Sequence, residues 1–196
     1  MRVAVTIDAE HPDAPAARGN TERLVEALAA ARAPAAFFLE GRWTAANPEL
    51  ARRIADDGHL IGNHSAWHAP MDMLTDEGMR RSVKTAEQQI VAATGVVPRP
   101  WFRCPYGAGD DDPAVLGVLD EMGYRNVGWT VDANDWRPER TAGEIVELTA
   151  AGVALQGDGA IVLLHSWPDA TAEALPTLIA RLRDDGADLV GLDALA

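Results

Sequence analysis

The sequence predicts an α/β fold built as an incomplete or distorted seven-stranded (β/α) barrel, and three observations predict it. Seven short apolar runs alternate with six amphipathic helical patterns, the order expected of a parallel sheet. No Gly-rich phosphate loop follows the first run, which disfavours the nucleotide-binding version of the alternative, a doubly wound open sheet. Run after run also ends in a chemically capable residue: Asp8, His64, Arg103, Asp132 or Asp135, and His165. In a parallel barrel such ends share one face, and active sites gather there.

The expected strands are Arg2–Ile7, Ala35–Leu39, His59–Asn63, Pro100–Cys104, Arg125–Val131, Ala160–Leu164 and Ala187–Leu192. Between them, Leu24, Leu28 and Ala31 mark a first helix, and Leu50, Ile54 and Ala55 a second. A long third helix carries Met79, Val83, Ala86, Ile90 and Ala93 and opens at the capping signal Thr75-Asp76-Glu77-Gly78. Val115, Leu119 and Met122 mark the fourth, with Pro113 near its start. Ile145, Leu148 and Gly152 mark the fifth, which begins at Thr141 with Glu144 three residues on, a capping-box spacing. Leu175, Leu178 and Leu182 mark the sixth. The Asp110-Asp111-Asp112 run reads as a solvated loop and helix start, where negative charge suits the dipole. There are no internal repeats or low-complexity linkers, so residues 1–196 read as a single domain.

The 196 residues suffice for one sizeable core, and 47% apolar with 24% charged residues is ordinary for a globular protein. A net charge of -13 disfavours nucleic acid and anionic lipid as partners, whereas a neutral sugar meets no such barrier. Solubility alone also accounts for such a charge. The single cysteine, Cys104, allows no intrachain disulfide. Neither a leader nor a membrane-length apolar stretch is seen, so the expectation is a cytoplasmic monomer, or an exported protein if a leader was trimmed.

His64 and His68 fall on one side if their segment is helical, and two imidazoles with a carboxylate can make an open metal site. A bare His-x-x-x-His also arises from surface or core histidines, so the neighbours matter. Ser65 can hydrogen-bond within the loop, and Pro70 ends the segment. The acids on offer are Asp8 and Glu10, which point to the same side of an extended chain, so that one can bind a metal while the other acts as base. His11 points to the other side. Arg103 can pair with a carboxylate and keep it ionised, and the turn Pro105-Tyr106-Gly107 can aim a backbone N–H at an oxyanion. Cys104 reads as a buried small hydrophobe. His165, facing Asp132 or Asp135, can be held cationic as a general acid. Of six tryptophans, Trp101 and Trp129 lie within expected strands and read as core. Trp43, Trp67, Trp136 and Trp167 follow strand ends, where aromatic faces suit the apolar faces of sugars.

Taken together, these strings resemble the polysaccharide deacetylase family, also called carbohydrate esterase family four or the NodB homology domain. The resemblance spans nearly the whole chain. Thr6-Ile7-Asp8-Ala9-Glu10-His11-Pro12 stands for the family's Thr-Phe-Asp-Asp-Gly-Pro, and His64-Ser65-Ala66-Trp67-His68 for its His-Ser/Thr-x-x-His. Arg103-Cys104-Pro105-Tyr106 matches Arg-x-Pro-Tyr, Asp132 to Trp136 matches Asp-x-x-Asp-Trp, and Leu163-Leu164-His165 matches Leu-x-His. The resemblance implies an irregular seven-stranded (β/α) barrel. It implies Asp8 as general base, His64 and His68 as metal ligands and Arg103 orienting Asp8. It further implies that Tyr106 offers its N–H to the oxyanion and that His165 is the general acid, tuned by Asp135. Trp136 and Leu163 would shape the acetyl pocket; Trp67 and Trp167 are expected as further substrate contacts from their places after strand ends.

One position departs from the family. Its second Asp, a metal ligand, falls on Ala9, which cannot bind a metal. Some relatives carry the ligand one position later, so the expected replacement is Glu10. The expected cofactor is a divalent cation, zinc by its ligands, with cobalt, nickel or manganese as alternatives. The expected reaction removes N-acetyl or O-acetyl groups from a carbohydrate or a small acetylated amino sugar. Two rivals stand beside it: a metal-independent hydrolase of cyclic amides or imides on the same scaffold, and a degenerate glycan-binding protein without catalysis.

Overall fold

Residues 1–12 and 15–195 are described in a computed structural model of the chain. They fall into two units, residues 1–36, 57–60 and 129–196 in the first and residues 37–56 and 61–128 in the second. The fold is α/β, of the (β/α)-barrel class. Among the described residues no helix is long and apolar enough to cross a membrane.

The first unit is built on β1 (Arg2–Ala9), whose residues 3–9 are all buried. A strand buried on both faces reads as a continuous apolar run rather than an alternating one. Helices α1 (Asn20–Ala31), α6 (Ala142–Gln156) and α7 (Asp169–Asp184) belong to this unit, with α7 packed against both α1 and α6. The strand β7 (Ala160–His165) runs parallel to β1 from Val3↔Ala160 to Asp8↔His165. On its other side β7 pairs in parallel with β6 (Val131–Asp132), and β8 (Asp188–Leu189) pairs in parallel with β1. The expected capping box is present: Thr141 Oγ1 accepts from the Glu144 N–H, and the Glu144 carboxylate accepts from the Thr141 N–H.

The second unit holds β2 (Ala36–Leu39) and β3 (Leu60–Asn63) from residues 37 and 61 onward, then β4 (Trp101–Phe102) and β5 (Arg125–Asn126), in that spatial order. The β3–β4 and β4–β5 pairs are parallel. Helix α4 (Asp76–Thr94) packs against α2 (Gly41–Ala46), α3 (Pro48–Asp56) and α5 (Pro113–Glu121). The core joins Met79 and Val83 of α4 to Phe102, Cys104, Val115, Leu119 and Tyr124. Thr75 caps α4 by accepting from the Gly78 N–H, and Asp112 caps α5 by accepting from the Ala114 N–H. Gly62 is required where it stands: a Cβ there would lie 2.5 Å from the Phe38 ring.

Three expectations are corrected. The run Arg125–Val131 is two strands, β5 and β6, in different units. Between them the carbonyls of Val127 and Gly128 accept from the Arg103 guanidinium at 3.0 and 3.1 Å, which takes them out of a ladder. The helix α2 was not expected; six residues are too short for a periodic signal. Trp101 and Trp129 are half-buried rather than core, and the Trp101 ring lies against the Arg125 guanidinium at 5.1 Å.

Candidate active site

The first unit gathers Asp8, Glu10, Asp135, Leu163, His165 and Trp167. Asp8 and His165 are direct register partners at the carboxyl ends of β1 and β7. Neighbouring parallel strands lie roughly 4.8 Å apart, so the sheet itself sets the two residues side by side. The Ser166 N–H donates to the Asp8 carbonyl at 3.0 Å and continues that ladder past the strand end. Asp8, Glu10 and Asp135 are all buried. The Trp167 Nε1–H donates to Glu10 Oε1 at 3.2 Å, which ties the loop after β7 to the residue just beyond β1.

The choice left open between Asp132 and Asp135 is resolved. Asp132 is exposed and accepts from the Asn134 N–H. Asp135 Oδ1 lies 2.7 Å from His165 Nδ1, while its Oδ2 accepts from the His165 N–H at 2.8 Å and from Thr171 Oγ1 at 2.7 Å. Three donors fix the orientation of this carboxylate. Burial by itself would lower the His165 pKa. The charge of Asp135 and the hydrogen bond to it, joined by the charges of Glu10 and Asp8, outweigh burial and push it up to about 10. With Nδ1 committed to Asp135, Nε2 is the ring nitrogen that remains to exchange a proton. Thr171, on α7, was not singled out in the sequence, since a helical threonine carries no signal of what it faces. Leu163 is buried on β7, Trp167 is buried beside His165 with ring centroids 6.3 Å apart, and Trp136 is exposed beside Arg137.

The second unit gathers His64, Trp67, His68, Arg103 and Tyr106. The segment from His64 to His68 is not a helix, contrary to the geometry that would stack an i, i+4 pair. It is a loop with Ser65 at φ 62 and His68 at φ 54, and this left-handed backbone brings the rings together instead. The two Nε2 atoms lie 3.1 Å apart. His64 Nδ1 meets the Arg103 carbonyl at 2.9 Å, so it carries the proton and leaves the Nε2 lone pair facing His68 Nε2. Ser65 acts as expected, its Oγ accepting from the His68 N–H at 3.1 Å. Arg103 is fully buried, with its guanidinium 4.1 Å above the Phe38 ring and its N–H groups on the Val127 and Gly128 carbonyls. Tyr106 is exposed at φ 60, with its ring 4.3 Å from that of His68. Trp67 is exposed on the same loop, and Cys104 is buried, as expected, with its thiol pKa pushed up chiefly by burial.

Five non-glycine residues among those described have positive φ, and four of them, Ser65, His68, Tyr106 and Asn134, lie in loops that follow β3, β4 and β6. Backbone strain of this kind concentrates at functional sites, where the surrounding structure enforces it.

The sequence profile for polysaccharide deacetylase matches residues 1–127. The peptidoglycan-N-acetylglucosamine deacetylase PgdA of Listeria monocytogenes is 30% identical over 194 residues, covering 99% of this chain and 38% of PgdA. The chain thus spans well under half the length of that relative. A chitooligosaccharide deacetylase of Sinorhizobium fredii is 33% identical over 180 residues, covering 85% of this chain and 80% of that protein. Among solved structures, a carbohydrate esterase family 4 pseudoenzyme from Bacillus anthracis superposes with a TM-score of 0.83 at 31% identity, covering 99% of this chain and 64% of that one. The profile match over both histidines and the arginine turn, together with the similarity to deacetylases along most of the sequence, shows that this chain belongs to the polysaccharide deacetylase family.

Proposed function

We propose that the chain is a metal-dependent deacetylase that hydrolyses N-acetyl or O-acetyl groups of a carbohydrate or small acetylated amino sugar. The observation that carries the reading is the pair of imidazole nitrogens 3.1 Å apart, one of them oriented through its other nitrogen by a backbone carbonyl. A tetrahedral cation with bonds of about 2.0–2.1 Å sets two nitrogen ligands roughly 3.3 Å apart, so the pair fits one. Glu10 would supply the third ligand, because Ala9 cannot and one carboxylate with two imidazoles is a zinc-type set. Such a cation supplies Lewis acidity to a water and to the acetyl carbonyl.

The remaining steps fall to the chain's own side chains. Asp8 takes a proton from the attacking water, and by the family resemblance Arg103 is the residue that orients it. The Tyr106 N–H donates to the oxyanion that develops on the acetyl carbonyl. His165 gives its Nε2 proton to the leaving nitrogen or oxygen while Asp135 holds Nδ1. Leu163 and Trp136 bound the acetyl group and the exposed Trp67 offers an aromatic face to the sugar, whereas Trp167, expected as a further sugar contact, is buried and braces Glu10 instead. Acetylated amino sugars fit best, because PgdA and the chitooligosaccharide deacetylase are named for such substrates.

A second reading has its own support. Ala9 replaces a family ligand, and the similar Bacillus anthracis structure is that of a pseudoenzyme, so an inert glycan-binding domain is the competing proposal. Acetate release from chitooligosaccharides and peptidoglycan fragments, with and without zinc or cobalt, separates the readings. Turnover that requires metal supports the deacetylase, and glycan binding without turnover supports the rival. Full activity after chelation removes the metal from the mechanism. For Glu10→Ala, bound zinc should fall and activity should drop by about 10²-fold. An unchanged zinc content would remove Glu10 from the ligand set.

A further inference from the structure

We propose that Asn63 is the positioning residue that holds the two imidazoles in register for the cation, an inference that rests on the metal-holding reading above. Asn63 ends β3, is fully buried, and directly precedes His64. Its Oδ1 accepts from the Ser65 N–H at 2.9 Å. Its Nδ2 donates to the Val83 carbonyl of α4 at 3.0 Å and to the Tyr124 hydroxyl at 3.3 Å. Its own carbonyl accepts from the Arg103 N–H at 3.0 Å, and the Arg103 carbonyl in turn accepts from His64 Nδ1. One side chain thus reaches the left-handed turn at Ser65, the long helix behind it and the hydroxyl of Tyr124.

The chemistry calls for an amide. Only Asn and Gln carry an acceptor and a two-proton donor on one uncharged plane, and Gln is a methylene too long for an i to i+2 turn bond. That bond offsets the cost of placing a serine at φ 62. The turn then passes the order on, because Ser65 Oγ receives the His68 N–H and so fixes the second histidine. The loop is clamped from the other side as well, the Ser65 carbonyl accepting from the Gly41 N–H and Ser82 Oγ from the Ala66 N–H. Tyr124 is a dependable partner. Burial and its hydrogen bond to Glu87 raise its pKa, so the hydroxyl stays protonated, donates to Glu87 and accepts from Asn63. Arg99 pairs with the same Glu87 at 3.3 Å and anchors the end of the relay.

The test is zinc affinity by competition with a chromophoric chelator, measured well below the unfolding midpoint of each variant. Asn63→Ala should weaken zinc binding by about 10–100-fold, the usual cost of losing a group that orients a ligand. Tyr124→Phe removes one of the amide's partners and should weaken it by less, under about tenfold. A lowered melting temperature with unchanged zinc affinity in the folded fraction would overturn the proposal. A second readout needs no metal. In the metal-free wild type, imidazole ¹⁵N shifts should report a single His64 tautomer protonated at Nδ1, and Asn63→Ala should mix the two. An unmixed pattern in Asn63→Ala would also overturn it. If Asn63→Ala does not fold, Tyr124→Phe decides by the same two measurements. Should the wild type bind no zinc, the metal reading falls and the imidazole pattern alone decides the role of Asn63.

Discussion

Asp135 sets the protonation state that His165 keeps. The folded pKa of this imidazole stands above the unfolded value of about 6.5, so the pair contributes stability that is fully present below that pH. The contribution is lost as pH rises through about 10. In metal-free protein, the stability gap between wild type and Asp135→Asn in urea should therefore be widest at or just below about pH 6.5 and narrow as pH rises towards about 10. A gap that widens with pH would mean that the imidazole is held neutral. In the active protein the same substitution should pull the alkaline limb of kcat/KM to lower pH and cost about 10²–10⁴ in rate. The candidate residues were legible one by one because each ends a strand in a recognisable string. Their partners were not. Thr171 on Asp135 and Trp167 on Glu10 are contacts across long stretches of sequence, and nothing local in a threonine or a tryptophan encodes them. The helical stacking expected of His64 and His68 failed for a related reason. Spacing of four brings side chains together on a helix, but a loop with two left-handed residues achieves the same meeting by another route.

Among the elements, caps and long amphipathic helices were the most readable. The capping box at Thr141 is satisfied in both directions, and Thr141→Ala should cost about 1 kcal/mol of stability by denaturant titration, with catalysis of the folded protein unchanged. A neutral effect would mean that water replaces the threonine hydroxyl at no cost. The two-residue strands were the least readable. β4, β5, β6 and β8 each contribute a single dipeptide to the ladder, too short for a period-two pattern to register. The apolar run that contains β5 and β6 looks continuous in sequence. Its middle is claimed by the Arg103 guanidinium, a buried cation whose need for carbonyl acceptors outranks strand propensity there.

For the molecule as a whole, the fold class followed from the alternation of runs and helices, whereas the grouping into two units did not. Residues 57–60 belong with the first unit although the segments on either side belong with the second, and a periodicity argument has no term for that. The net charge of -13 does act at this scale. A field of one sign repels polyanionic substrates at long range, and salt screens it over a Debye length of about 8–10 Å. Raising ionic strength should lower KM for an anionic acetylated glycan and leave KM for a neutral chitooligosaccharide unchanged. The opposite pattern would place a local basic patch at the binding surface.

The register that makes Asp8 and His165 neighbours joins residues far apart in the sequence. During synthesis, a nascent chain still lacking β7 leaves Asp8 without His165 beside it and the β7 flank of β1 open. Closing a loop of this length raises contact order and makes the docking of β7 on β1 a slow event.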